Sequence, residues 1–320
     1  MRKFWIIAIV MYGFITVNPL VAQSKLNPFF EKNGTVSLQT AALDSLADTL
    51  AVVNHRADDI VWSKTVYRIV DMRDKQNYQL YFPLTPNNEN RSLLRVILDA
   101  VVNDSLKAYG VVYKDIKPLY TDTLTKDALR KRFVNITYDT ATFKILDQQP
   151  LIVQNPLTQN YTINNREYID YATNQFKFLI QEIVFFDKHT SRLYSKIIGI
   201  APIYSLNETN ITFMGLSKNG PKTNSNAWEY LYSSVFCWFL FDELRPYLAK
   251  QYVIPDGNST QRLTFDEFFA QKLYSSYVVG DSNSRGWMLL QYLTDTEKIK
   301  KEQQRIETEL LDFEQDLWEY

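Results

Sequence analysis

Residues 176–204, FKFLIQEIVFFDKHTSRLYSKIIGIAPIY, constrain the fold more than any other stretch. Two runs rich in Ile, Leu, Val, Phe and Tyr flank a polar hexapeptide, Asp187-Lys188-His189-Thr190-Ser191-Arg192. β-Branched and aromatic side chains suit a pleated surface, and a short polar cluster between two such runs reverses the chain. Strands joined in this way pair antiparallel, and their apolar faces need covering by other elements. An antiparallel sheet is therefore the expected centre of the fold.

Other segments supply partners for it. Residues 60–72, IVWSKTVYRIVDM, read as a second strand with a hairpin-like return towards Pro83. Leu93, Leu94, Ile97, Leu98, Val101 and Val102 recur at helical spacing and predict an amphipathic helix. A strand near Ala108–Tyr113, a charged helix near Thr125–Arg132 and a strand over 133–146 follow. The polar stretch 147–165 reads as a linker dividing residues 59–320 into two sub-halves. Residues 60–83 and 176–204 share a strand, an Asp-centred turn and an apolar return, which raises a duplication as one reading although identity is low. Further on come a loop-rich 206–226, a strand over 228–240 and a helix over 243–251 with Pro246 in its first turn. Thr264-Phe265-Asp266-Glu267 is a capping box, since the Thr hydroxyl and Glu carboxylate can each satisfy a free backbone amide at a helix start. A strand over 273–279 and a long charged helix from Thr296 complete the pattern; a short helix over 37–53 precedes it. The fold class is α+β, with mixed antiparallel sheets, packed helices and a long C-terminal helix.

The chemistry available is narrow. Lys and Arg number 35 against 36 Asp and Glu, so no cationic surplus exists for neutralising phosphates, and nucleic acid is excluded as the main partner. Two His and one Cys cannot build a Cys/His zinc cluster or an intrachain disulfide. Cys237, within VFCWFL, reads as inert core. GLSKNGPKT, residues 215–223, misses a phosphate loop because Pro221 stands where a Lys must follow Gly220 and removes an amide. GDSNSRG, residues 280–286, has the Asp281 and Asn283 of a calcium loop, but Tyr292 stands where a bidentate Glu is needed, so a polar turn is expected. His55 and His189 read as solvated surface residues, and no GxSxG elbow is present. The carboxylate pairs Asp58-Asp59 and Asp266-Glu267 read as a strand lead-in and a helix first turn. No catalytic, cofactor or metal residue is assigned. An exported polysaccharide- or peptide-active hydrolase and a periplasmic ligand-binding module stay open as alternatives.

Residues 1–22 read as a cleavable export signal. Arg2 and Lys3 precede the apolar run Phe4–Val17, Asn18-Pro19 breaks it, and Leu20-Val21-Ala22 offers the cut before Gln23. The run is shorter than the roughly 20 residues that cross a bilayer. Cys237 is remote from this signal, so the chain carries no lipid attachment site beside it, and a polar segment, 23–58, precedes the globular region. The expected location is the periplasm.

Four strings taken in order, DDIVWSKTVYRIVDMRDKQNYQLYFP, EIVFFDKHTSRLYSKIIGIAPI, RLTFDEFFAQKLYSSYVVGDSN and LLDFEQDLWEY, resemble the gliding-motility family GldN, called PorN in non-gliding relatives, of the type IX secretion system of Bacteroidota. The resemblance runs from about Asp58 to Tyr320; Asp74-Lys75-Gln76-Asn77 and Phe239–Pro246 depart from it. It implies a non-enzymatic periplasmic subunit without a cofactor. The implied partners are a GldK/PorK-like outer-membrane lipoprotein, with which the subunit forms a ring, and a GldM/PorM-like component of the GldL–GldM motor. Contact with the membrane is then indirect.

The C-terminal helix is the candidate partner-binding element. Ile299, Ile306, Leu310, Phe313 and Leu317 are spaced seven, four, three and four, with Gln303 the polar seam position. Lys298, Lys300, Lys301 and Arg305 come early, whereas Glu307, Glu309, Asp312, Glu314, Asp316 and Glu319 come late. That order opposes the helix dipole, so the seam must be held by packing on its own domain or on a neighbouring subunit. Ile306, Leu310, Phe313, Leu317, Trp318 and Tyr320 are the candidate contact residues, Trp318 and Tyr320 suiting the aromatic rim of an interface.

Overall fold

The computed structural model describes residues 49–50, 55–72, 74–86, 90–103, 106–138, 145–164, 176–204, 228, 231, 234–254, 262–283 and 285–316. The export signal, the 206–226 loop and residues 317–320 lie outside the described residues, as does the helix expected over 37–53 except for Thr49 and Leu50, which are not helical.

Its centre is a five-stranded antiparallel sheet made of β1 (Ile60–Asp71), β8 (Phe176–Asp187), β9 (Arg192–Tyr204), β10 (Phe239–Leu240) and β11 (Tyr277–Asp281), in the order β10-β9-β8-β1-β11. The β8–β9 hairpin turns at Asp187↔Arg192, where the sequence places it. β1 runs beside β8 with Val66 opposite Glu182 and Val70 opposite Phe178, and beside β11 with Val66 opposite Asp281. Because side chains alternate across a strand, Trp62, Lys64, Val66, Arg68 and Val70 share one face. Tyr67 and Ile69 share the other.

Both faces are covered. Against the first face, at the Val70 end, packs the largest apolar cluster, including Phe178, Ile180, Ile200 and the buried side of α2 (Leu93–Asn103). Helices α4 (Phe241–Leu248) and α5 (Phe265–Ala270) close that core with Leu244, Leu248, Phe265, Phe268 and Phe269. Each such side chain contributes about 1.5–3 kcal/mol on burial. The opposite face takes the hairpin of β2 (Ala108–Val111) and β3 (Pro118–Leu124) together with Trp238. Tyr109 and Trp238 exchange two backbone hydrogen bonds of 2.8 and 3.0 Å, and the Trp238 indole donates to the Ile116 carbonyl at 2.8 Å. Gly199 is required at this packing, since a Cβ there would fall on the Tyr120 hydroxyl and the Trp238 ring. Among the described residues no helix is long and apolar enough to cross a membrane.

Several sequence expectations need correction. After β1 the chain does not return as a strand: Lys75–Asn77 is a 3-10 turn and Tyr78–Tyr81 the short helix α1. β1 already has strands on both flanks, and the buried Asn77 fixes the turn elsewhere. Its amide donates to the Asp71 and Ser275 carbonyls at 2.8 and 2.9 Å and its oxygen accepts from the Ser275 N–H at 2.8 Å. The likeness of 60–83 to 176–204 therefore ends at the first strand. The single strand expected over 133–146 is split: β4 (Val134–Tyr138) pairs antiparallel with β5 (Ile145–Pro150). The expected linker 147–165 carries the end of β5 and the hairpin of β6 (Ile152–Gln154) and β7 (Tyr161–Ile163), and Leu151 and Ile152 are buried in the main core. The charged helix stands as expected as α3 (Lys126–Arg132), capped by the Thr125 hydroxyl. In the described part of 228–240 the only strand is β10, with single bridges at Val235 and Trp238. Pro246 lies one turn inside α4, on its exposed side. The capping box at Thr264–Glu267 is formed.

Candidate interaction surface

The remaining helices are α6 (Leu289–Tyr292) and α7 (Thr296–Asp316), the long C-terminal helix. Asp295 starts α7, its carboxylate accepting from the Glu297 N–H at 3.0 Å. The helix then crosses the face of β1 beyond the main core. Gln303, the polar seam position, donates to the Val278 carbonyl at 2.6 Å and so occupies the exposed edge of β11. Ile306 is fully buried among Val66, Val184, Val278 and Leu289, and Leu310 packs on that cluster. Phe313 stacks on Trp62 at 4.4 Å and meets Phe186 edge-on at 6.4 Å. Of the six candidate contact residues, Ile306, Leu310 and Phe313 thus hold α7 on its own sheet. Leu317, Trp318 and Tyr320 lie outside the described residues.

The late acids of α7 meet cations from β1. Lys64 bridges Asp281 at 3.0 Å and Glu309 at 2.9 Å, and Arg68 bridges Glu182 at 3.1 Å and Glu307 at 3.3 Å. Glu182, only 2% exposed, also bonds Lys272. Burial alone would raise the Glu182 carboxyl, but Lys272 and Arg68 together outweigh it and hold the group below the usual carboxylate range. The Lys64 hydrogen bond likewise lowers Glu309. Glu307 and Glu309 lie about two turns or more before Asp316, beyond the last turn where the helix dipole acts, so their cost is set by desolvation and is met by pairing across to the sheet. Lys64 and Arg68 were missed as partners of α7. Their signal was present as two cations four residues apart on one face of an apolar strand.

Beside this contact an open groove of about 510 Å³ runs along Trp62, Arg305, Thr308, Glu309 and Phe313. A second, of about 360 Å³, continues past Lys64, Asp281 and Asn283. Arg305, on the rim of both, already bonds Glu302 at 2.7 Å and Glu309 at 2.9 Å. Lys64, Asp281, Arg305 and Glu309 along these grooves are all held in ion pairs.

The remaining chemical candidates take structural roles. His55 is not a solvated surface residue: its side chain is 11% exposed, with Nδ1 2.7 Å from an Asp187 oxygen and the ring 4.3 Å from Tyr194 and 4.9 Å from Phe185. This His bond, the largest influence on Asp187, lowers the carboxyl. His189 is exposed, as expected. Asp58 and Asp59 lie in a 3-10 turn leading into β1. Asp266 receives two bonds from Arg245, of 2.7 and 3.0 Å, and one from the Leu50 N–H at 2.9 Å. Asp281 is tied to Lys64, and Asn283 shapes the polar turn after it. Cys237 is fully buried, and burial pushes its thiol up. No group of three or more potential metal ligands occurs among the described residues.

Residues 55–319 match the family described as gliding motility associated protein GldN. The chain belongs to the GldN family. The match opens at His55, which joins the chain to the β8–β9 turn, and extends past the described end of α7. Every strand and helix described above falls inside this GldN region. Comparison with curated proteins gives no match.

Proposed function

We propose that this GldN-family chain is a non-enzymatic structural subunit of the type IX secretion and gliding machinery. In this reading residues 1–22 direct export, and the mature protein works in the periplasm. A GldK/PorK-like lipoprotein holds it at the inner face of the outer membrane, where the two build a ring that meets a GldM/PorM-like motor component. The family match over 55–319 carries the proposal, because it covers the whole described fold rather than one motif. The arrangement of charge supports it. The acidic side chains that sequence offered for acid–base chemistry are held in ion pairs, caps and turns, as Asp266 is by Arg245 and Glu267 by Thr264.

Deleting the gene tests the reading. Many unrelated cargo proteins should fail to reach the cell surface together, and removal of the cognate lipoprotein should release or destabilise this protein. Normal secretion of all cargo in the deletion strain, or loss of a single hydrolytic activity, overturns it.

A further inference from the structure

We propose that the tip of the β6–β7 hairpin, with α3 beside it, makes a direct contact with an anionic phospholipid surface, into which Leu157 inserts. The proposal deepens the assembly reading above, which sets the chain against the outer membrane, and rests on it.

The tip is Asn155-Pro156-Leu157-Thr158-Gln159-Asn160. Its root is fixed. The Leu151 N–H bonds the Phe133 carbonyl just after α3, and the Asn164 N–H bonds the Leu151 carbonyl, both at 2.8 Å, where Leu151 and Ile152 enter the core. Leu157 is 92% exposed, more than any other large apolar side chain among the described residues. A single exposed leucine is ordinary; the backbone around it is not. The N–H groups of Asn155 and Gln159 bond the Asn160 and Asn155 carbonyls at 2.9 and 2.8 Å. Those of Leu157 and Asn160 bond the side-chain oxygens of Asn155 and Thr158 at 2.9 and 3.4 Å. Pro156 has no N–H, so within the tip only the Thr158 N–H is left for an outside partner. A loop whose donors are satisfied internally enters a water-poor layer at little cost.

Charge behind the tip identifies the surface. Residues 125–133 and 151–164 carry Lys126, Arg130, Lys131 and Arg132 against one acid, Asp127. That acid is engaged, accepting from the Tyr161 hydroxyl at 2.7 Å. The Lys126 ammonium lies 5.9 Å from the Tyr161 ring, and Arg130 is near enough to act on the Tyr161 hydroxyl. Lys126 and Arg132 also donate to the Val102 and Phe236 carbonyls, whereas Arg130 and Lys131 enter no ion pair among the described residues. From the tip inward the order is leucine, aromatic ring, cations. A bilayer presents the matching order from its acyl boundary outward to its phosphates. The excess of cations selects a lipid surface of negative charge. One leucine and a few cations bind such a surface weakly and reversibly. The contact therefore orients a subunit that its lipoprotein partner already holds, and copies side by side in a ring add their contacts.

A dye at the tip tests this. Cys237 is fully buried, so Thr158→Cys gives one accessible thiol for an environment-sensitive fluorophore on the purified full chain. Its emission should shift to the blue with vesicles of phosphatidylglycerol and phosphatidylcholine in equal parts. It should stay unchanged with phosphatidylcholine alone, and the shift should fade as salt rises. Adding Leu157→Asp, or Arg130→Glu with Lys131→Glu, should raise the lipid concentration for half the shift at least about tenfold, about 1.4 kcal/mol. The circular dichroism spectrum should not change in either variant. No shift on the anionic vesicles, equal shifts on both lipids, or a Leu157→Asp chain that binds like its parent overturns the contact. Secretion lost on Leu157→Asp while the dye ignores vesicles would place the tip in a protein pocket and overturn it as well. If the dye ignores vesicles but the deletion strain loses secretion of all cargo, this contact falls and the assembly reading stands.

Discussion

The two ends of one sheet face are covered by different means. At the Val70 end, Phe178, Ile180 and Ile200 meet α2, α4 and α5 through an apolar core in which Phe265, Phe268 and Phe269 are almost wholly buried. At the Trp62 end, five buried residues, with Ile306 the one that α7 contributes, form a small cluster rimmed by Lys64, Arg68, Glu182, Asp281, Glu307 and Glu309. Apolar burial acts in proportion to area and without regard to direction, whereas buried charges need each partner in place. The first end therefore anchors the fold. The second holds α7 in a defined register, at a stability that depends on a few atoms.

Substitutions at the two ends should separate these modes. Phe268→Ala, at the fully buried end, should cost about 3–5 kcal/mol, read as a fall in the urea midpoint of the whole transition. Ile306→Ala should cost less, about 2–3 kcal/mol, and should loosen α7 before the rest. Amide exchange in α7 would then quicken while α2 stays protected. Equal acceleration in both helices would show that the two ends unfold as one unit and that the contrast drawn between them is false.

Arg68→Ala probes the charged rim itself. It leaves the buried Glu182 with Lys272 and the Ser195 hydrogen bond but without its guanidinium, removes that cation from Glu307 as well, and about 1–3 kcal/mol should be lost. The acid limb of stability sharpens the same point. Glu182 has a folded pKa below its unfolded value, so its contribution is complete above the unfolded value, near about 4.3. It is lost as pH falls through the lower folded value. Glu182→Gln should therefore flatten stability against pH below that range and change the slope little at neutral pH. A mutant whose acid limb follows wild type would show that other carboxylates govern acid unfolding.

The same contrast explains which parts were legible in the sequence. The β8–β9 hairpin, α2 and the Thr264–Glu267 box are specified by residues within a few positions of one another, so periodicity and capping chemistry expose them. The turn at Asn77 is not local, because its side chain bonds Ser275, 198 positions away. Nor is His55, whose partner Asp187 is 132 positions away. Leu151 and Ile152 were hidden inside a polar stretch, where the three-residue run Leu151-Ile152-Val153 is too short to carry a period. At the candidate surface, the seam spacing of Ile306, Leu310 and Phe313 was readable. Its receiver was not, because spacing says that a helix has an apolar side without saying what covers it. The cations Lys64 and Arg68 on β1 held that answer, and they become meaningful only once β1 is placed under α7.

The smallest expected effect lies at the outer edge of the charged rim. Arg305 bonds Glu302 at 2.7 Å and Glu309 at 2.9 Å, yet its side chain is 55% exposed. Such pairs gain little over water and are screened by salt. Glu309 also keeps Lys64 when Arg305 is removed, so no carboxylate is left buried and alone. Arg305→Ala should therefore shift stability by less than about 0.5 kcal/mol, with the urea midpoint nearly unchanged at moderate salt. Because Arg305 lines both grooves beside Trp62, the same variant tests whether that rim is a docking surface. Secretion lost with stability intact would assign the groove to a partner. A stability loss comparable to that of Arg68→Ala would instead show that the rim is as tightly coupled as the buried pairs beneath it.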